Sequence, residues 1–165
     1  MKRTSLSKMK VDLTTRIKHL TFKNPVTVAS GTFGTTTEME AYIDYDKLGA
    51  VIAKTVTLHE RPGNPMPRIC ETAAGMINAI GLQNKGLDEF IENKMPKIRK
   101  QKTPWILSIA AETTEEFSVM AKKLDHVIEN GATRLCCGLF FLKPFDDHYI
   151  VSLRIRCDRV ALRFK

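Results

Sequence analysis

The 165-residue chain is predicted to be an α/β protein whose alternation of strands and helices is the opening of an α/β barrel. Three observations carry this. Short apolar runs at residues 26–29, 50–53 and 104–110 are bounded by Gly, Pro or Asn and suit strands buried on both faces. After them, apolar residues recur at helical spacing with charged residues opposite. A stretch of alternating polarity at residues 11–23 comes first, giving the order ribbon, strand, helix, strand, long loop, helix, strand, helix.

In the ribbon, Val11, Leu13, Ile17, Leu20 and Phe22 are separated by polar residues, with a turn near Lys18 and His19. His19 is read as a surface turn residue. Asn24 and Pro25 break the chain before the first buried strand, and Ser30, Gly31, Thr32, Phe33 and Gly34 follow that strand. Two glycines and two hydroxyls there allow a backbone to approach a ligand, but alone they read as an ordinary strand-to-helix turn. Thr37 is placed as the cap of a short helix through Glu38, Met39, Tyr42 and Ile43. Arg68, in the long loop, is paired with Glu71. Leu87, Phe90, Ile91, Met95 and Ile98 share one helical face, and Pro96 predicts a break or kink late in that helix. Lys97, Arg99, Lys100 and Lys102 crowd its C-terminal end, where positive charge complements the helix dipole. Thr113 and Glu116 make a capping box ahead of the stripe Phe117, Ala121, Leu124, Val127 and Ile128, which Asn130 and Gly131 terminate.

The formal charge of +8 does not indicate nucleic acid. Residues 1–133 carry 19 Lys/Arg against 15 Asp/Glu and residues 134–165 carry 7 against 3, so the excess lies toward the ends with no basic stripe among aromatics. No apolar run approaches the roughly 18–20 residues of a membrane span, and the start lacks the apolar centre of a signal peptide. Cys70, Cys136, Cys137 and Cys157 show no metal-type spacing, so no metal site is expected and reduced thiols in the cytoplasm are the default.

Function concentrates in residues 50–86. Lys54 stands where the apolar run ends, and a lysine at the carboxyl end of a buried parallel strand points into the mouth of a sheet or barrel, where anions bind. Asn78, Ala79, Ile80, Gly81 and Leu82 place an amide inside a Gly-bracketed apolar turn. One cation, one amide and exposed backbone N–H groups suit a small, flat, carboxylated molecule.

"K-T-x-T" at residues 54–57, "G-N-P-x-P-R" at 63–68 and "N-A-I-G-L-Q-N" at 78–84 resemble the class 1 dihydroorotate dehydrogenases, most closely class 1B. "A-S-G-x-F-G" at residues 29–34 fits the same family. The resemblance implies the first three to four βα units of a TIM (β/α)₈ barrel preceded by a β-hairpin. It implies oxidation of dihydroorotate to orotate through FMN in pyrimidine biosynthesis: a cysteine base takes the proton from carbon 5 while hydride leaves carbon 6. It places Lys54, Asn78, Ala79, Ile80, Gly81 and Leu82 at the substrate and Ala29, Ser30, Gly31, Lys54, Thr55 and Ser108 at the FMN. Ser108 stands where many class 1B relatives carry asparagine. The intact family implies a homodimer and an iron–sulfur flavoprotein partner bearing FAD and a 2Fe–2S cluster.

The resemblance covers residues 1–133. A barrel of this kind takes roughly 250 residues, so the chain holds about half of one. Beyond Thr133 the family pattern "L-E-x-N-x-S-C-P-N" is missing, so neither Cys136 nor Cys137 is assigned as the catalytic base. The composition of residues 134–165 suggests a shifted reading frame. The expectation is therefore an enzyme portion inactive by itself. Two readings stay open beside it: another FMN barrel such as a dihydropyrimidine dehydrogenase domain, and a non-catalytic fragment that binds a partner or an anion.

Overall fold

The computed structural model describes residues 11–17, 20–129, 135–141, 152–155 and 160–163. The alternating N-terminal residues form the expected antiparallel ribbon, β1 (Thr15–Ile17) against β2 (Leu20–Phe22). Its turn, with His19, lies outside the described residues, as do Asn130 and Gly131.

The central sheet is parallel and follows chain order. Its strands are β3 (Val51–Ile52), β4 (Val56–Thr57), β7 (Trp105–Ala111) and β8 (Leu135–Phe141). β3 and β4 pair in turn along one edge of β7, and β8 pairs along the whole of the other. Residues 26–29, predicted as a full strand, contribute a single parallel bridge from Thr27 to Ala50 and a hydrogen bond from Gly49 N to Val26 O.

The strand predicted at residues 50–53 continues beyond its predicted end, through a bulge, into β4. Val51 faces Trp105 and Ile52 faces Ile106, whereas Val56 faces Ile109. Residues 53–55 therefore stand opposite only Leu107 and Ser108, one residue too many. The extra residue reverses the alternation of faces. Val51 and Ala53 belong to the core before the bulge and Val56 after it. Thr55 and Thr57 are turned away from that core.

Helix α3 (Thr114–Glu129) covers the core face of β7, with Phe117, Met120 and Leu124 fully buried among Leu107 and Ile109. Its capping box is half made. Thr113 Oγ1 accepts from Glu116 N, but the Glu116 carboxylate turns to Glu112 N. Between β4 and β7 the predicted apolar face packs as expected, with Leu87, Phe90, Met95 and Ile98 buried. The helix is split into α1 (Leu87–Glu89), a π-helical turn (Phe90–Lys94) and α2 (Met95–Ile98). Pro96 lacks the N–H that a regular α-turn would use there, and the widened turn directly precedes it.

Two further expectations fail. Residues 37–43 form turns, not a helix, and the nearest helical element is a 3₁₀ turn, Tyr45–Lys47, capped by Asp44. Glu38 accounts for this: its carboxylate folds back onto the N–H groups of Thr35 and Thr36, closing a loop. Tyr45 is buried beneath that loop, between Phe33 and Trp105 in edge-to-face contacts at 5.6 and 5.8 Å. Arg68 does not pair with Glu71: its guanidinium donates to Gln83 Oε1 at 2.6 Å and to Asn64 O at 3.3 Å.

The long loop contains an unexpected hairpin, β5 (Ile69–Thr72) and β6 (Gly75–Asn78), exposed along its whole length. Beyond β8, β9 (Ser152–Ile155) and β10 (Val160–Arg163) make a separate antiparallel pair. Among the described residues no helix is long and apolar enough to cross a membrane.

Candidate functional site

Three of the predicted residues meet through their hydroxyls. Ser30 Oγ donates to Ala53 O at 3.0 Å, taking a carbonyl of the bulge. Thr55 Oγ1 lies 3.1 Å from Ser30 Oγ and 2.7 Å from Ser108 Oγ. A carbonyl can only accept, so the Ser30 proton goes to Ala53 O. Thr55 then donates to Ser30, and Ser108 donates to Thr55. The row crosses three neighbouring segments of the sheet, with Thr55 and Ser108 buried and Ser30 half-buried. All its protons are committed, so it offers a ligand lone pairs.

Lys54 sits in the bulge beside this row. Its backbone N–H donates to Gly34 O. The residue is half-buried, and its ammonium has no hydrogen bond or ion pair among the described residues. Ala29 and Gly31 are exposed next to it; Gly31 has φ of +81° and open space where a Cβ would stand. The bulge thus brings Lys54, next in sequence to Thr55 of the row, together with the accessible backbone of Gly31; the cation would suit an anionic group, and the row, with only lone pairs to offer, would accept from a ligand N–H.

The 78–82 loop is built separately and fastened on two sides. Asn64 N donates to Ile80 O at 3.0 Å, Asn64 Nδ2 to Ala79 O at 2.8 Å, and Ala79 N to Arg68 O at 2.9 Å. Gly81 is at φ +76°, and a Cβ there would meet Asn64 N at 2.8 Å, so only glycine fits. Leu82 follows at φ +56°, the only non-glycine residue with positive φ among those described. The Asn78 side chain is exposed and unpartnered among the described residues. On the other side Asn84, the last residue of the 78–84 motif but given no role by the sequence reading, ties the end of the loop to Thr57 at the end of β4. Hydrogen bonds bring Ser30, Thr55 and Ser108 together, and Lys54 lies in the bulge next to Thr55. The 78–82 loop reaches that strand through Asn84.

Glu38 was also missed. Burial pushes its carboxyl up, but the N–H groups of Thr36, Glu38 and Thr35 and the charge of Lys94 outweigh this, leaving it below the ordinary carboxylate range. It braces the loop whose Gly34 carbonyl meets Lys54. An acidic residue two or three positions after a Gly-Thr-Thr turn is the signal that could have found it. A separate open cleft of about 180 Å³ lies between the segments after β4 and β7, bridged by an Arg61–Glu112 ion pair at 2.8 Å. None of the predicted residues lines it.

The profile of the dihydroorotate dehydrogenase family matches residues 12–136. The catalytic subunit of dihydroorotate dehydrogenase B (NAD(+)) from Geobacter metallireducens is 48% identical over 118 residues, 72% of this chain and 39% of that protein. The subunit of the same description from a Thermoanaerobacter species is 49% identical over 115 residues, 70% of this chain and 38% of that one. The chain thus spans about two fifths of the length of these relatives. A solved dihydroorotate dehydrogenase from Eimeria tenella, in complex with ferulenol, superposes with a TM-score of 0.55 at 26% identity, over 80% of this chain and 38% of that one. With a parallel sheet in chain order and a profile match across most of its residues, the chain belongs to the dihydroorotate dehydrogenase family.

Proposed function

We propose that this chain is the N-terminal part of a class 1B, FMN-dependent dihydroorotate dehydrogenase, folded as the first βα units of a (β/α)₈ barrel and inactive by itself. The observation that carries this is Lys54: a residue of the strand bulge, adjacent to Thr55 of the Ser30–Thr55–Ser108 row, within the matched region, whose ammonium has no hydrogen bond or ion pair among the described residues. The exposed backbone of Ala29 and Gly31, the Ser30 and Thr55 row and the Lys54 charge would hold FMN. Bound FMN supplies the electron-accepting chemistry. Lys54 offers its charge to the substrate carboxylate or the flavin. Asn78 donates its amide to the pyrimidine ring, and the backbone around Ile80, Gly81 and Leu82 completes the clamp. Ser108 is buried with its proton spent on Thr55, so it supports the floor through Thr55. Proton removal requires a base that this reading assigns to no residue of the chain. The electron acceptor of the whole protein would be an iron–sulfur flavoprotein subunit.

The test is calorimetric titration of the purified chain with FMN and with orotate. Orotate should bind, and Lys54→Ala should weaken it by about tenfold or more, the scale of one charge-assisted hydrogen bond. Binding of uracil in preference to orotate, or of neither, would reject the assignment.

A further inference from the structure

We propose that Asn84 is the positioning residue of the 78–82 loop: its carboxamide locks Leu82 in the left-handed conformation and ties the loop to the strand that carries Lys54. The step from loop geometry to ligand rests on the reading above; the lock itself does not.

The orientation of the carboxamide is settled by its neighbours. Oδ1 lies 3.2 Å from Thr57 N and 2.9 Å from Gly86 N, both of which can only donate. Nδ2 donates to Leu82 O at 2.9 Å and to Thr57 Oγ1 at 2.9 Å. The Thr57 hydroxyl sends its own proton to His59 O at 2.6 Å, which leaves its oxygen free to accept from Nδ2. Turning the amide over would set two N–H groups against its NH₂ and leave the Leu82 carbonyl unpaired. The Asn84 backbone adds two hydrogen bonds, N to Arg61 O and Arg61 N to Asn84 O, at 3.0 and 2.9 Å. One half-buried side chain therefore joins β4, the loop's last residue and the Gly86 N–H ahead of α1.

Leu82 is where such a lock is needed. A left-handed backbone is disfavoured for any residue with a Cβ, and such positions persist where surrounding contacts hold them. The Leu82 carbonyl is held by the same amide whose oxygen is fixed by β4. The direction in which Ile80, Gly81 and Leu82 present their backbone is thus set from the strand end two residues beyond Thr55. On the other side Asn64 and Arg68 hold Ala79 and Ile80, but none of their hydrogen bonds reaches Leu82 or joins the loop to β4.

Hydrogen–deuterium exchange on the full chain tests the lock. Asn84→Asp keeps the acceptor for Thr57 N and Gly86 N and removes the donor to Leu82 O. Exchange at the Ala79 and Arg61 amides, which are hydrogen-bonded to Arg68 O and Asn84 O at the two ends of the loop, should quicken by about tenfold, the worth of that hydrogen bond, with β7 and α3 unchanged. In a Leu82→Gly background, where left-handed backbone is free of strain, the same change should have a clearly smaller effect on those amides; this pair also serves if Asn84→Asp alone folds poorly. Unaltered exchange at Ala79 and Arg61, or equal acceleration throughout the molecule, overturns the proposal. Orotate titration separates the two readings. If the unaltered chain binds orotate and Asn84→Asp binds it equally well, Asn84 does not position the loop. If the unaltered chain binds none, the ligand reading falls and exchange still decides the lock.

Discussion

Glu38 illustrates how one side chain shapes the approach to the candidate site. Its carboxylate gathers the N–H groups of Thr35 and Thr36 at 3.1 and 2.6 Å, so the folded state favours the ionised form. A carboxyl depressed in the folded state contributes stability above its unfolded pKa and loses it as pH falls through the folded value. Acid titration of stability should therefore show a component, below the ordinary carboxylate range, that Glu38→Gln abolishes. An identical acid profile in the variant would count against the assignment. Thr55 lies at the centre of the hydroxyl row. Thr55→Val leaves the buried Ser108 hydroxyl without its acceptor and should cost about 1–3 kcal/mol in urea unfolding, while Thr55→Ser should keep most of that. Lys54 was singled out by residue type and position after an apolar run, which imply a sheet mouth, whereas Ser30 and Thr55 were singled out by the family resemblance alone. Asn84 and Glu38 were not legible, since their roles depend on hydrogen bonds that the chain makes only after it has turned back on itself.

At the level of elements, the bulge between β3 and β4 is what lets one strand serve two purposes. Were the same residues to alternate without the bulge, Thr55 and Thr57 would share the core face with Val51 and Ala53, and Val56 would leave it. Its trace exists in the sequence as a phase slip: Val51 and Ala53 keep one alternation, Val56 and Leu58 the opposite one. Residues 50–53 read as a run buried on both faces conceal that slip, because neither face then looks polar. The bulge makes a numerical prediction. Val56, 2% exposed, should cost about 2 kcal/mol on truncation to alanine, and Ile52, the larger but only half-buried side chain, should cost less. Comparison of denaturation midpoints checks it, and the opposite ranking would mean that the alternation runs straight through. The β5–β6 hairpin escaped notice for a different reason. Its two-residue turn is Ala73-Ala74, without the Asn-Gly or Gly-X chemistry that marks such turns, and none of its strand residues is buried. The split in the Leu87–Ile98 helix was announced by Pro96, whereas its π-helical form follows from packing Phe90 and Met95 into the same core.

For the molecule as a whole, the question is what this much of the family's length can do. The sheet holds its strands in chain order, with β8 paired on one side only among the described strands. The relatives are about two and a half times as long as the matched region. On the reading proposed above, Lys54, the hydroxyl row and the 78–82 loop supply binding and orientation, and the chemistry needs a base as well. The family's cysteine pattern is not present around Cys136 and Cys137, where β8 runs beside β7. General-base catalysis is worth about 10²–10⁴ in rate, and on the reading proposed above enclosure of the reacting groups from water depends on strands and loops beyond the four-stranded parallel sheet. Binding can therefore survive where turnover does not. The expected result, with the purified chain, added FMN and dihydroorotate under anaerobic conditions, is an unchanged flavin spectrum over hours, alongside measurable orotate affinity. Bleaching of the flavin that requires dihydroorotate and disappears in Lys54→Ala would show that these residues contain a base of their own. The search for it would then begin at the Lys54 bulge.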